Sequence, residues 1–218
     1  MAESTMTFGY WNIRAGVRGH VNRYIMAIAG VEYNDKRYDP ADRAEWTADK
    51  ESLGLDFPNL PYIIDGDFKL TESKAVSVYL CDKYAPQLLG DTAERRASVK
   101  MLHDIIYDHM MSYVMQAFKS DDRQAMVDVA LAGVPKLAGF LGSKNFLLGD
   151  EVTMADLMLF EDIETVVAAM QSENLYTDYP ALKAYQDRVR ALPGLAEFLA
   201  SPKHIGVPFF IPQIKVPM

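Results

Sequence analysis

The chain has 218 residues, of which 50% are hydrophobic and 24% are charged. These proportions are typical of a folded globular protein and exclude a disordered, collagen-like or low-complexity chain. There are 30 acidic and 22 basic residues, which gives a net charge of −8. The basic face that a nucleic-acid-binding protein needs is therefore not expected.

The cysteine and histidine contents restrict the chemistry further. The single cysteine, Cys81, excludes an intrachain disulfide and a Cys-x-x-Cys redox pair. The histidines show no metal-ligand spacing, so no metal site is expected. No signal-peptide pattern is visible, and no apolar run is long enough to cross a bilayer. We expect a cytoplasmic protein that binds neither membranes nor nucleic acid.

The first 85 residues alternate between strand and helix patterns. Short apolar-aromatic runs predict strands, and apolar residues at helical spacing predict helices. Asp65-Gly66, between two apolar runs, indicates a hairpin. The order β-α-β-α-β-β-α predicts a sheet with helical crossovers that ends in an antiparallel hairpin. The predicted strands cover 5–10, 33–38, 61–64 and 68–70, and the predicted helices cover 20–30, 41–52 and 72–84.

Strand patterns mostly disappear after a predicted linker at 86–91. Thr153 followed by Asp156 predicts a capped helix start, and the tail from Pro202 predicts an extended segment. We therefore predict an α+β protein with a mixed domain followed by an all-α domain, and a groove between them is a common place for a small-molecule site. The predicted domains are 1–85 and 92–218, with further helices at 93–118, 122–141, 180–192 and 195–201.

Two positions near strand ends of the mixed domain can contact a ligand. Tyr10 ends the first strand, where its hydroxyl either faces a ligand or completes the packing. Leu60-Pro61 opens the third strand. A cis bond there turns the Leu60 backbone toward a peptide-like ligand, but the residues alone favour a trans bond.

Two further positions can bind carboxylates. Ser73 lies at a predicted helix N-terminus, which either binds an anion or is only capped. Arg43, Trp46 and Lys50 are spaced by three and four residues and share one helical face. That face either holds a second carboxylate or points to solvent.

In this combination and order, the segments resemble the cytosolic glutathione transferases, most closely the Mu class. The resemblance covers nearly the whole chain, and its most specific part is the stretch LGLDFPNLPYIIDG at 53–66. It implies a thioredoxin-like domain followed by a helical domain, and a cis bond before Pro61. It also implies an enzyme that needs no cofactor and joins its co-substrate glutathione to small hydrophobic electrophiles.

The resemblance also implies roles for individual residues. Tyr10 matches the tyrosine that donates a hydrogen bond to the glutathione sulfur and stabilises the thiolate. Phe57 matches an aromatic residue that inserts into the other subunit of a homodimer. Asp108 matches an aspartate that reaches the partner subunit's glutathione. Other implied glutathione contacts are Trp11, Arg43, Trp46, Lys50, Asn59, Leu60, Glu72 and Ser73. The expected electrophile-site residues are Met111, Met115 and Phe118.

The sequence departs from the Mu pattern in several places. Glu72 stands where Mu enzymes usually have glutamine, and its charge attracts the substrate ammonium but repels the neighbouring α-carboxylate. Phe118 stands where many Mu enzymes have a second tyrosine that faces the electrophile. The segment 39–46 is shorter than its Mu counterpart, and 15–22 is about two residues longer. These differences indicate a divergent member of the class.

Two other functions stay open. The same scaffold can carry hydrophobic ligands without catalysis, or it can use glutathione in an isomerase reaction, in which the thiol adds and leaves again. A dithiol reductase is disfavoured because no second cysteine accompanies Cys81.

Overall fold

The computed structural model of the chain describes residues 5–14, 16–206, 212 and 214–216. Its first half contains a four-stranded sheet with the spatial order β2-β1-β3-β4. β1 and β2 are parallel because a helical crossover joins them, whereas β3 is antiparallel to both β1 and β4. The strands are β1 (Thr7–Trp11), β2 (Asn34–Tyr38), β3 (Tyr62–Asp65) and β4 (Phe68–Thr71).

The helices of this half cover the sheet and its ends. A π-helical turn at Gly16–His20, called the 16–20 turn below, leads into α1. Residue 15, in the segment predicted to be longer than in Mu enzymes, lies outside the described residues. α1 and α3 pack against each other, whereas α2 has no buried residue. The helices are α1 (Val21–Ile28), α2 (Ala44–Asp49) and α3 (Ser73–Tyr84).

The second half consists of helices arranged around α6. This helix is buried along most of its length, and it packs against α1, α4, α5, α8 and the 16–20 turn. The helices are α4 (Ala93–Lys119), α5 (Arg123–Leu141), α6 (Met154–Met170), α7 (Asn174–Asp178), α8 (Pro180–Arg190) and α9 (Leu195–Ala200).

The predicted fold class is confirmed: a thioredoxin-like mixed sheet with helices precedes an all-helical part. The short helix α7 and the 16–20 turn were not predicted. The extended tail cannot be followed, because residues 207–211, 213, 217 and 218 lie outside the described residues. The exact division into domains at 86–91 stays a prediction, although a 3-10 turn occupies Pro86–Leu88.

A buried ionic cluster joins the two halves. Arg14 follows β1, and its Nε and Nη2 lie 2.9 and 3.1 Å from the carboxylate of Glu161 on α6. The Tyr24 hydroxyl donates to the same carboxylate at 2.5 Å. Burial raises the pKa of Glu161, and the charge of Arg14 opposes that rise. The chain that leaves β1 is thereby fixed against the helical half.

The helix α5 has a strongly apolar composition. α5 is long and apolar enough to cross a membrane by length and composition alone, and 33% of its most apolar stretch is buried. Because core helices of globular proteins pass the same test, this single helix is weak evidence for a membrane span. In the structure α5 packs against α4 and α6.

The start of α6 provides a test of the fold. Asp156 is fully buried and accepts hydrogen bonds from the Leu147 N–H, the Thr153 N–H and the Thr153 hydroxyl, each at 2.8 Å. Asp156→Ala leaves these buried donors unpaired, so we expect it to lower the free energy of unfolding by about 3 kcal/mol or more. Urea denaturation measures this change.

The matched control is Asp122→Ala, which removes an exposed cap at the start of α5. This variant should cost only about 1 kcal/mol. Equal losses for the two variants would contradict the role given to burial at Asp156.

Candidate functional site

Sheet topology brings the predicted site segments to one edge. β1 ends at Trp11, β3 begins at Tyr62 and β4 ends at Thr71. Gly9 pairs with Tyr62, which in turn pairs with Thr71. Because β3 is antiparallel to both neighbours, these three strand ends lie side by side. The predicted site residues in or next to these strand ends are Tyr10, Trp11, Leu60, Glu72 and Ser73.

Tyr10 is buried at this edge. Its side chain is 4% exposed, and its ring lies directly against the 16–20 turn, where a Cβ atom at Gly19 would overlap it. Burial raises the pKa of Tyr10 well above its usual value, and the positive charge of Arg18 partly opposes the rise. The phenol therefore stays protonated at neutral pH and is available as a hydrogen-bond donor.

Aromatic contacts bring the residues of the predicted carboxylate site to the same edge. The Arg43 guanidinium lies 5.7 Å from the centroid of the Trp11 ring. Trp46 stacks on Tyr62, with 6.2 Å between ring centroids. The Lys50 side chain is 40% exposed, and its ammonium lies 3.4 Å from the exposed carboxylate of the next residue. This weak surface pair leaves the ammonium able to bind a ligand carboxylate.

The segment before β3 has the geometry that the resemblance implies. The Leu60-Pro61 peptide bond is cis, so the expectation of a trans bond from the residues alone was wrong. Asn59 Oδ1 accepts a hydrogen bond from the Leu60 N–H at 2.9 Å, and Asn59 Nδ2 donates to Glu72 Oε1 at 3.0 Å. Asn59 therefore links the start of β3 to the end of β4.

Glu72 has an unusual backbone conformation. Its φ of 73° and ψ of 112° lie where residues other than glycine are rarely found. Such residues are concentrated at functional sites, where the surrounding structure holds them in place. Ser73 follows as the first residue of α3, whose free N–H groups attract a carboxylate. The exposed Glu72 side chain and the buried Ser73 thus lie at the same helix start.

The site residues predicted on α4 differ in their exposure to solvent. Asp108 is exposed, and Met115 is 43% exposed. Met111 and Phe118 are half-buried and pack against the core. The structure therefore places two of the three expected electrophile-site residues at the boundary of the core and leaves Met115 facing solvent.

Sequence reasoning missed Tyr107 on the same helix. Its phenol is near enough to Tyr10 to make a small contribution to the raised pKa of Tyr10, after the larger effects of burial, Arg18 and Arg23. The Lys74 ammonium, next to Ser73 in the chain, lies 4.2 Å from the centroid of the Tyr107 ring. Tyr107 lies four residues before Met111 and so shares a face of α4 with it. This spacing could have identified Tyr107 as a candidate site residue from the sequence.

No metal site appears in the part of the chain that the structure describes, because no group of three or more histidine, cysteine or acidic side chains has suitable geometry there. Cys81 is a free, buried thiol. Burial raises its pKa well above the usual value, so it is a poor nucleophile.

Comparison with known proteins gives the family. The N-terminal domain model of the glutathione S-transferases matches residues 6–82, and their C-terminal domain model matches residues 103–202. Among solved structures, the glutathione S-transferase Blo t 8 superposes with a TM-score of 0.82, covering 97% of this chain and 100% of that chain. At 24% identity this likeness shows the fold alone.

Two curated relatives support a closer assignment within the family. The class-mu 26 kDa isozyme 7 of Fasciola hepatica is 33% identical over 204 residues, which are 92% of this chain and 90% of the relative. Glutathione S-transferase Mu 1 of Oryctolagus cuniculus is 32% identical over 215 residues, covering 94% and 95%. The chain belongs to the glutathione S-transferase family and is a glutathione transferase related to the Mu class.

Proposed function

We propose that the enzyme joins the glutathione thiolate to small hydrophobic electrophiles, and that the Tyr10 hydroxyl stabilises the thiolate. The observation that carries this proposal is a buried, protonated phenol at the sheet edge where the other candidate residues gather. A phenolate there would repel the sulfur anion, whereas the neutral hydroxyl donates to it.

The energies are compatible with this role. A free thiol with a pKa of about 8.5 is mostly protonated at neutral pH. Lowering that pKa by about two units requires about 2.7 kcal/mol of preferential interaction with the thiolate. One hydrogen bond to a charged group contributes about 1.5–3 kcal/mol. The Tyr10 hydroxyl, with the nearby charge of Arg18, supplies an interaction of this size.

Charge complementarity supports the orientation of glutathione. Its glycyl carboxylate fits the cations of Arg43 and Lys50 and the indole N–H of Trp46, and its cysteinyl backbone fits Leu60 beside Asn59. Its γ-glutamyl carboxylate fits Ser73 at the start of α3, where backbone N–H groups favour an anion. Glu72 and an Asp108 contributed by a second subunit match the ammonium group. The resemblance to the Mu class implies these roles, and the chemistry of the side chains is compatible with them.

The electrophile then binds against α4. We assign Met111, Met115 and Phe118 to this apolar surface, because methionine side chains adapt to ligands of different shape. Phe118 has no hydroxyl, so it cannot donate a proton to the reacting electrophile. The reaction needs no metal or other cofactor in this proposal, and the protein acts in the cytoplasm.

The proposed functional form of the enzyme is a homodimer. Phe57 is 79% exposed, which is unusual for a large aromatic side chain in an isolated globular subunit. Aromatic side chains are enriched among the anchors of subunit interfaces. We assign Phe57 to the contact with a second copy of the chain, which would also bring Asp108 to the partner's site.

Tyr10→Phe tests the central role. Without the hydroxyl, the glutathione thiol stays protonated at neutral pH, so we expect turnover to fall by about 10- to 1000-fold, equivalent to roughly 1.4–4 kcal/mol of barrier. Glutathione affinity should be nearly unchanged. Conjugation of an activated chloronitrobenzene and the ultraviolet absorbance of the bound thiolate measure both effects.

The control is Tyr33→Phe, which removes a half-buried phenol whose ring packs edge-on against Phe8. It should keep wild-type turnover. Unchanged turnover in Tyr10→Phe would remove Tyr10 from the mechanism. A wild-type protein that binds glutathione but conjugates and isomerises no substrate would indicate a ligand carrier instead.

Lys50→Met tests the carboxylate site. The variant keeps the side-chain length but loses the charge, so we expect the KM for glutathione to rise about 5- to 30-fold, roughly 1–2 kcal/mol of lost binding, with kcat nearly constant. Lys183→Met, which breaks an exposed pair within α8, is the control. A normal KM for glutathione in Lys50→Met would show that this lysine does not bind the substrate.

Phe57→Ser tests the dimer. Loss of a buried anchor costs about 2–4 kcal/mol, so the dissociation constant of the dimer should rise about 30- to 1000-fold. Sedimentation equilibrium measures the change. Phe57→Leu keeps an apolar side chain and should retain most of the association. If both variants dimerise like the wild type, Phe57 lies outside the interface.

A further inference from the structure

A buried polar bridge, called the Asn22–Ser77 bridge below, joins the 16–20 turn to α3. Asn22 lies in the first turn of α1 and is 1% exposed. Its Nδ2 donates to the Arg18 carbonyl oxygen at 3.2 Å, and its Oδ1 accepts from the Ser77 hydroxyl at 2.7 Å. The Ser77 oxygen also lies 2.9 Å from the Ser73 carbonyl oxygen, so its single proton is shared between two acceptors.

The Asn22–Ser77 bridge connects two parts of the proposed glutathione site. Arg18 belongs to the turn on which the Tyr10 ring rests at Gly19. Ser73 begins α3 and is proposed to bind the γ-glutamyl carboxylate. The bridge therefore links the turn against which the Tyr10 ring packs to the residue that is proposed to bind the glutamyl carboxylate.

A polar bridge is not needed simply to fill this space. Burying an amide and a hydroxyl is costly unless both are hydrogen-bonded, and two apolar side chains would pack the same gap without that cost. Apolar contacts, however, have no direction. Hydrogen bonds of fixed length and angle determine the position of the turn relative to α3 much more narrowly.

Small displacements of the 16–20 turn would change the position of the Tyr10 ring. The turn lies so close to the Tyr10 ring that no Cβ atom fits between them at Gly19. Moving the turn therefore moves the ring and its hydroxyl. A hydrogen bond to the sulfur weakens steeply when its geometry is poor, so the bridge controls how well the thiolate is stabilised.

We propose that Asn22 is a positioning residue for thiolate stabilisation, because it couples the start of α3 to the turn that holds Tyr10. The inference rests on the proposed function. It assigns to Asn22 and Ser77 no contact with substrate, only control over the placement of the groups that make such contacts.

The test uses Asn22→Leu and Ser77→Ala in the full-length enzyme. Both cut the bridge, so we expect the apparent pKa in the pH profile of kcat/KM to rise by about 0.5–1 unit, which lowers kcat/KM about 3- to 10-fold at neutral pH. The loss should disappear at high pH, where the thiol ionises without assistance. Combining the two substitutions should add little, because both break one link.

Two further variants separate positioning from stability. Thr165→Val removes a fully buried hydroxyl that donates to the Glu161 carbonyl oxygen at 2.8 Å within α6. It should lower Tm as Ser77→Ala does but leave the pH profile unchanged. Ser77→Thr keeps the hydroxyl and should retain the wild-type profile.

The outcomes are distinct. Active wild-type enzyme with an unchanged pH profile in Asn22→Leu would overturn this inference and leave the proposed function intact. Wild-type protein that conjugates no electrophile would overturn the proposed function and the inference together. If Asn22→Leu does not fold, Ser77→Ala, which removes only one oxygen, decides the question by the same profile.

Discussion

The close contact between the Tyr10 ring and the backbone at Gly19 is the constraint on which the site depends. It removes the phenol from water, and burial raises the pKa of Tyr10 further above neutral pH. A neutral donor in a low-dielectric site stabilises an anion more strongly than the same group does in water. The packing of one ring thus strengthens the interaction that the proposed chemistry needs.

The helical half keeps this contact in place. Arg14, four residues after Tyr10, is paired with Glu161 on α6, and Tyr24 donates to the same carboxylate. Such a pair contributes little net stability, because desolvation offsets the attraction, but loss of one partner leaves a buried charge. Its value here is positional: the chain on either side of the 16–20 turn is fixed to a helix whose own position is set by a large core.

At the glutamyl part of the proposed site, position 72 carries a carboxylate, where the resemblance to the Mu class implies an amide. Glu72 accepts a hydrogen bond from Asn59, and this bond partly stabilises its negative charge. Its positive φ costs about 1–3 kcal/mol for a residue other than glycine. β4 pairing before it and α3 after it fix both neighbours, so the conformation persists. Glu72 thus occupies the junction between the end of β4 and the start of α3.

The sequence alone determined the order of strands and helices, because hydrophobic periodicity and the Asp65-Gly66 turn are local signals. It also supplied the candidate residues, since the 53–66 stretch and the groups around it have a specific pattern. Only the tertiary structure decided the left-handed conformation at Glu72, the approach of Tyr107 and the Asn22–Ser77 bridge. These features depend on contacts between segments far apart in the chain, and a local pattern carries no information about which distant groups the fold will bring together.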